Sequence, residues 1–308
     1  MARYFRNRAI LVKPETTYGV DAVPTGAANA MQMTNVNFEP LVGEDVNRDL
    51  VLPYMGHQGV MLVGNYARIS GEVEIAGSGT AGTAPAVGPL LRACALAEVI
   101  TAATDVKYTP ISSLQEAVSI YFNVDGVRHV LLGARGTMTL QLTPKQIPRF
   151  VFTMTGLLGT ITDQALPTVD LTDFIKPVPV SKANTTFSLH GHAGACEGVS
   201  MDLGSQVEPR LLIGAESIEL VDRMMTGNAT MEAVSLATKN WFQIAQAHTT
   251  GALAAQHGTV AGNIVKFEAP AVQIGRLNYG ETQKIVNNGL PLMFQPVAGN
   301  DEFVITFQ

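Results

Sequence analysis

Ala67–Ile100, ARISGEVEIAGSGTAGTAPAVGPLLRACALAEVI, decides how this chain is read. It opens in strict alternation: Arg68, Ser70, Glu72 and Glu74 fall on one face, and Ile69, Gly71, Val73 and Ile75 on the other. A period of two over such a run predicts a strand with one wet and one buried face. The following GSGTAGTAP holds too much glycine to prolong a strand. Pro89 then opens a short helix at a position where its missing N–H costs nothing, and Leu90, Leu91, Cys94 and Ala97 give that helix an apolar stripe. The unit reads as a half-wet strand, a loop and a helix folded back on the sheet.

Composition narrows what such a chain can do. Its 308 residues suffice for two cores of ordinary size. Charged residues make up 15% and the net charge is −6, whereas a grip on nucleic acid calls for clustered Lys and Arg. Residues 1–160 hold 12 basic and 12 acidic side chains, which leaves 8 of the 20 and 14 of the 26 for residues 161–308. The acidity therefore belongs to the second half. Cys94 and Cys196 sit in different halves, which fits a reducing compartment and no disulfide framework. Arg3, Arg6 and Arg8 precede no apolar run of signal-peptide length. No stretch approaches the ~18 apolar residues of a membrane helix, so the expectation is assembly in the cytoplasm with no membrane partner. A hydrophobic share of 46% with few charges predicts a surface covered by other subunits.

Outward from the opening stretch, residues 1–30 read as an N-terminal arm, broken by Pro14, Gly19, Pro24 and Gly26. Tyr4, Phe5, Ile10, Leu11 and Val12 give the arm something to dock with on a neighbouring subunit. Met33–Phe38 reads as a short strand, and 44–66 as a long loop of the kind that makes interfaces. Ala117–Val124 and Val127–Leu132 flank Asp125–Gly126, a strong hairpin signal. Thr137–Leu142 and Arg149–Thr155 alternate cleanly. The proline-rich Asp163–Pro179 is the connector.

The second half repeats the order. Glu197–Leu203 is a strand, Ser205–Ile213 a loop, and Gly227–Ala233 an alternating strand with Asn228, Thr230 and Glu232 on its wet side. Thr238–His248 follows as a helix with Trp241, Ile244, Ala245 and His248 on one face. Asn263–Ala269, Ala271–Asn278, Thr282–Val286 and Glu302–Phe307 are further strands. This pattern predicts a duplicated fold, divided into 1–30 (arm), 31–162 (first domain), 163–180 (linker) and 181–308 (second domain).

Chemistry-bearing patterns resolve into structural readings. Gly77, Gly79 and Gly82 satisfy G-x-G-x-x-G, but a dinucleotide site needs buried parallel strands, not alternating ones. His190, His192 and Cys196 lack a fourth metal ligand at a sensible spacing. Glu72 and Glu74 could act as paired carboxylates, yet a solvated strand face explains them. No nucleophile elbow occurs. The reading is of no enzyme, no catalytic residue, no metal and no cofactor.

Several segments carry a family resemblance. Lys13–Thr25 (KPETTYGVDAVPT), the alternating strand running into Gly77–Ala93, Tyr108–Ser112 (YTPIS), Asp125–Thr137 (DGVRHVLLGARGT) and Phe152–Gly156 (FTMTG) resemble the major tail tube proteins of long-tailed, siphovirus-like bacteriophages. The resemblance covers most of residues 10–160; the second half is assigned by the internal repeat. It implies a mainly β chain with short flanking helices, a duplicated β-sandwich whose sheets join neighbouring subunits into a closed ring or barrel. Rings would stack into a hollow tube on a tape-measure protein, bounded by tail terminator and distal tail proteins. The protein would reside in the virion tail, and phage DNA would pass through without specific binding. Arg68, Ser70, Glu72, Glu74, Asn228, Thr230 and Glu232 are the expected lumen lining. The arm residues named above, with Gly77, Gly79 and Gly82, are the expected subunit contacts. Two domains per chain predict a homotrimeric, pseudo-hexameric ring; a true hexamer is the rival. A ring-forming β protein of a secretion-system tube or a capsid decoration is the alternative function.

Overall fold

The computed structural model describes residues 2–308. Among them are nineteen strands and three short helices. The first half contains β1 (Arg8–Pro14), α1 (Gly26–Asn29), β2 (Thr34–Asn47), β3 (Val60–Glu74), α2 (Gly88–Ala93), β4 (Leu96–Thr101), β5 (Asp105–Pro110), β6 (Val118–Val124), β7 (Val127–Leu142), β8 (Arg149–Leu158) and β9 (Thr162–Asp163). Residues 164–184 carry no strand or helix. The second half contains β10 (Thr185–Leu189), β11 (Cys196–Asp202), β12 (Ser205–Leu212), β13 (Ala215–Arg223), β14 (Thr226–Glu232), α3 (Trp241–Gln246), β15 (Thr250–His257), β16 (Val265–Ile274), β17 (Asn278–Thr282), β18 (Ile285–Phe294) and β19 (Val304–Phe307).

Every pairing is antiparallel. In the first half the order is β1-β6-β7-β8-β3-β2. In the second it is β10-β15-β16-β18-β14-β11, with β17 continuing β16 along β18. Two pairings join the halves: β7 with β11, and β5 with β19. Among the described residues these pairings form no closed circuit, so the sheet of one chain is open and not a barrel.

The alternation of β3 holds residue by residue: Ile69, Gly71, Val73 and Ile75 are buried, while Arg68, Ser70, Glu72 and Glu74 are half-buried. Asp125 and Gly126 turn β6 into β7 with φ of 33° and 92°, the two positive values a two-residue hairpin turn demands. Val127–Leu132 and Thr137–Leu142 are one strand, interrupted by a bulge between Leu132 and Arg135 where Gly133 has φ 56°.

Other expectations need correcting. Of residues 44–66 only 48–59 form a loop; the flanks, 44–47 and 60–66, are the outer strands of the β2–β3 hairpin that this loop connects. Ser205–Leu212 is a strand paired only with β13; in a two-stranded ribbon each strand has a free edge, so Pro209 is tolerated. Thr282–Val286 spans a hairpin turn, because Gln283 and Lys284 take φ of 54° and 67°. Asn263–Ala269 and Ala271–Asn278 are mostly the single strand β16. Ala97 lies in β4 rather than on the helix, and His248 leaves α3 at φ 54° and is exposed.

One apolar cluster runs through both halves, from Val73 and Phe150 to Phe267 and Phe303. The Phe150 ring packs edge-on to Phe267 with centroids 6.2 Å apart, and Phe267 stacks on Phe303 at 6.3 Å. Leu90, Leu91 and Cys94 bring α2 onto this core. Asn240 caps α3, its side-chain oxygen accepting from the Gln243 amide at 3.0 Å.

Candidate functional site

The β7–β11 pairing makes one surface out of two. Directly opposed residues in neighbouring strands point to the same side, so the registers can be followed across the halves. One row runs Glu74, Arg149, Gln141, Ser200, Asn228, Pro291. Two residues along, another runs Glu72, Val151, Thr139, Asp202, Thr226, Met293. The row between them is Val73, Phe150, Leu140, Met201, Gly227, Leu292, which points the other way. All of that row except the half-buried Gly227 is buried. The result is a six-stranded sheet, β3-β8-β7-β11-β14-β18, with one face in the core and a mostly polar face outside.

This arrangement brings together Arg68, Ser70, Glu72 and Glu74 on β3 with Asn228, Thr230 and Glu232 on β14. The residues that join them were not singled out from sequence: Thr139, Gln141, Arg149, Ser200 and Asp202. Their signal was present in the alternation of T-M-T-L-Q-L, but its meaning depended on β11 docking beside β7. The uncovered charged side chains of the face include the arginines Arg68 and Arg149 and the carboxylates Glu72, Glu74, Asp202 and Glu232; Arg135, which Thr155 sets in one row with Arg68, is buried against Glu219 of β13. Arg149 Nη1 donates to Glu72 Oε2 at 2.7 Å, and Asn35 Nδ2 donates to Glu72 Oε1 at 3.0 Å. The Asn35 amide and then the Arg149 guanidinium hold the Glu72 carboxyl below its usual range, against partial burial. Arg68 approaches Glu39 at 3.9 Å. Nowhere on this face do basic groups cluster as a phosphate-binding surface requires.

The glycine loop after β3 is occupied within the chain. The Gly77 amide donates to Asn263 Oδ1 at 2.7 Å and the Gly79 amide to the Gly262 carbonyl at 2.9 Å. A Cβ on Gly77 would collide with the Gly262 carbonyl, and one on Gly82 with the backbone of the β4–β5 turn. Gly77 lets two loops from different halves touch backbone to backbone, and Gly82 lets two loops of the first half do the same.

In the arm, Ile10, Leu11 and Val12 lie in β1 and are buried against the chain's own sheet, whereas Tyr4 and Phe5 are both 67% exposed. His190 Nε2 meets the Val272 carbonyl at 2.7 Å, and the rings of His190 and His192 stand edge-on to Trp241. Burial pushes the Cys196 thiol up to about 11. Among the described residues no group of three or more His, Cys, Asp or Glu is placed to hold a metal, and no helix is long and apolar enough to cross a membrane.

The sheet is thus open, with one face in the core and one wet, mostly polar face. The family model described as phage tail tube protein matches residues 6–295. The chain belongs to the phage tail tube protein family. Comparison with curated proteins gave no match. A tail tube protein has a structural role in the virion tail, where it assembles with other tail proteins into a tube. For this tail tube protein the match extends the resemblance of residues 10–160 through the second half.

Proposed function

We propose that this tail tube protein builds a ring from three chains, each supplying two tube-fold domains, and that the polar face of the β3-β8-β7-β11-β14-β18 sheet lines the bore through which phage DNA is delivered. The observation that carries the reading is the repeated pairing order, β1-β6-β7-β8-β3-β2 and β10-β15-β16-β18-β14-β11. Two copies of one sheet, already joined side by side, supply two neighbouring positions of a pseudo-sixfold ring. Closing the ring removes the open sheet edges, which otherwise invite aggregation.

The chemistry of the face suits passage rather than grip. Each Lys or Arg that neutralises a phosphate releases counterions and tightens binding. A face with more carboxylates than guanidiniums leaves the duplex hydrated and free to slide. Tape-measure, terminator and distal tail proteins are the partners of such a tube, assembled in the host cytoplasm. The exposed Tyr4 and Phe5 of the arm, with the outer β2–β3 hairpin, are suited to contacts between subunits or rings.

End-on views of assembled tubes test the stoichiometry: three chains per ring are expected, and six identical chains would overturn the duplication. Glu72→Lys with Glu74→Lys tests the bore. Tubes should still form while genome delivery slows, and unchanged delivery would remove these residues from the DNA path.

A further inference from the structure

Inside the chain, one edge strand finds a partner and its counterpart does not. β11 closes the second half's strand order and pairs with β7, through Val199–Asp202 against Leu142–Thr139. In the repeated order, β11 corresponds to β2, and β7 corresponds to the run β16–β17. Register fixes the correspondence. Ser200 stands opposite Asn228 as Asn37 stands opposite Ser70. Gln141, Arg149 and Glu74 form a row as Gly280, Asn287 and Glu232 do. Yet among the described residues β2 pairs with β3 alone and β17 with β18 alone, and all five residues of β17 are exposed.

We infer that β17 of one copy pairs antiparallel with β2 of the next, setting Asn37 opposite Gly280, Phe38 opposite Tyr279 and Glu39 opposite Asn278. This reproduces between chains the contacts Ser200–Gln141, Met201–Leu140 and Asp202–Thr139 that exist within one. It rests on the ring reading above and gives that ring its joint. The polar face then continues unbroken from chain to chain, because the register keeps each residue on its side.

The hairpins beyond these strands carry the same inference independently. β12–β13, which continues β11 and β14, lies over the first half. Arg135 Nη1 donates to the Ile218 carbonyl and to Glu219, both at 2.8 Å, and the Ile218 amide donates to the Tyr18 hydroxyl at 2.6 Å. The outer β2–β3 hairpin occupies the equivalent place on the first half, with no such bed. It exposes Leu41 at 53%, Val46 at 45%, Met61 at 52% and Leu62 at 53%. An apolar ribbon of that kind marks a surface meant to be covered. The bed that matches it is the second half of another copy, since the chain's own first half is already taken by β12–β13.

Cysteines at Glu39 and Asn278 test the register, because directly opposed residues come within disulfide reach. After mild oxidation of assembled protein carrying Glu39→Cys and Asn278→Cys, denaturing gels without reductant should show a covalent ladder that ends at the number of chains per ring. Each single variant should stay monomeric. Tubes that assemble without cross-links would overturn the pairing while leaving the tube reading intact. A ladder from the out-of-register pair Glu39→Cys and Lys284→Cys would overturn it too. Hydrogen exchange on the unaltered chain provides a second measurement that does not depend on the variants assembling. Amides of 34–39 and 278–282 should slow at least tenfold on assembly, and unchanged exchange there would overturn the joint. If the unaltered chain forms no ring at all, the ring reading itself falls.

Discussion

β11 and β2 are the same edge of two similar sheets, and only one of them is covered. β11 has β7 beside it and a hairpin above it pinned by Arg135 and Tyr18. β2 has solvent on its far side, and its hairpin turns Leu41, Met61 and Leu62 outward. The halves differ elsewhere too. The first carries the extra β4–β5 hairpin after its helix, and β5 pairs with β19; the second has no such insertion between α3 and β15. The joint within the chain is therefore stapled by two strand pairings, whereas a joint between chains built on β2 and β17 has one. Under the joint we propose, the chain folds as one body first and then adds copies through a thinner contact.

The heaviest blow to this comparison is a cut through the core that the halves share. Phe150 is fully buried and packs on Phe267 of the other half. Phe150→Ala should cost about 3–5 kcal/mol and shift one cooperative denaturant transition as a whole. Two separated transitions, with only one displaced, would show that the halves hold independent cores. Next comes the loop contact. Gly262 has φ 86°, and a Cβ there would strike the Gly79 backbone. Gly262→Ala should cost about 2–4 kcal/mol, the left-handed backbone conformation plus the displacement of a packed neighbour. Gly191→Ala, at φ 74° with open space around it, should cost only the ~1–2 kcal/mol of the backbone conformation. Equal losses would remove the loop contact from the joint.

A smaller effect lies on the polar face. The Glu72 carboxyl is held below its usual range by Asn35 and Arg149. Its contribution is therefore present above the ordinary carboxylate pKa and is lost as pH falls through the depressed value. Because the pair is partly solvated, the loss should stay within about 1 kcal/mol. Glu72→Gln should flatten the acid limb of stability against pH and leave neutral stability within that margin. An unchanged acid limb would mean that the ion pair does not persist in solution. Smallest of all for the single chain is Met61→Ser with Leu62→Ser. Exposed as they are, their loss should change unfolding by no more than about 0.5 kcal/mol, yet tube formation should fail. Normal tubes would leave the exposed ribbon without a partner.

Much of the face was legible in the chain itself. Arg68 to Glu74 and Asn228 to Glu232 show their wet side through period two alone, and Asp125–Gly126 announces its hairpin through the backbone angles it permits. The outer hairpins were not legible. Residues 44–66 mix apolar and polar positions because both faces of that ribbon lie open in the single chain, so no alternation marks a buried side. Pro209 speaks against a strand unless its neighbour is known to be a lone ribbon. Gln283 and Lys284 lack the Gly or Asn that usually marks such a turn.

The sequence by itself determined which residues alternate, where glycine permits tight turns, and the family to which residues 10–160 point. These are local properties, set by side-chain period and by the angles each residue can adopt. Tertiary structure alone decided that Gln141 meets Ser200, that Gly77 meets Asn263, and that β11 is covered while β2 is not. A ladder hydrogen bond needs a partner from elsewhere in the chain, and nothing local records which distant strand supplies it. The continuous polar face exists only because that pairing joins two alternating patterns in register.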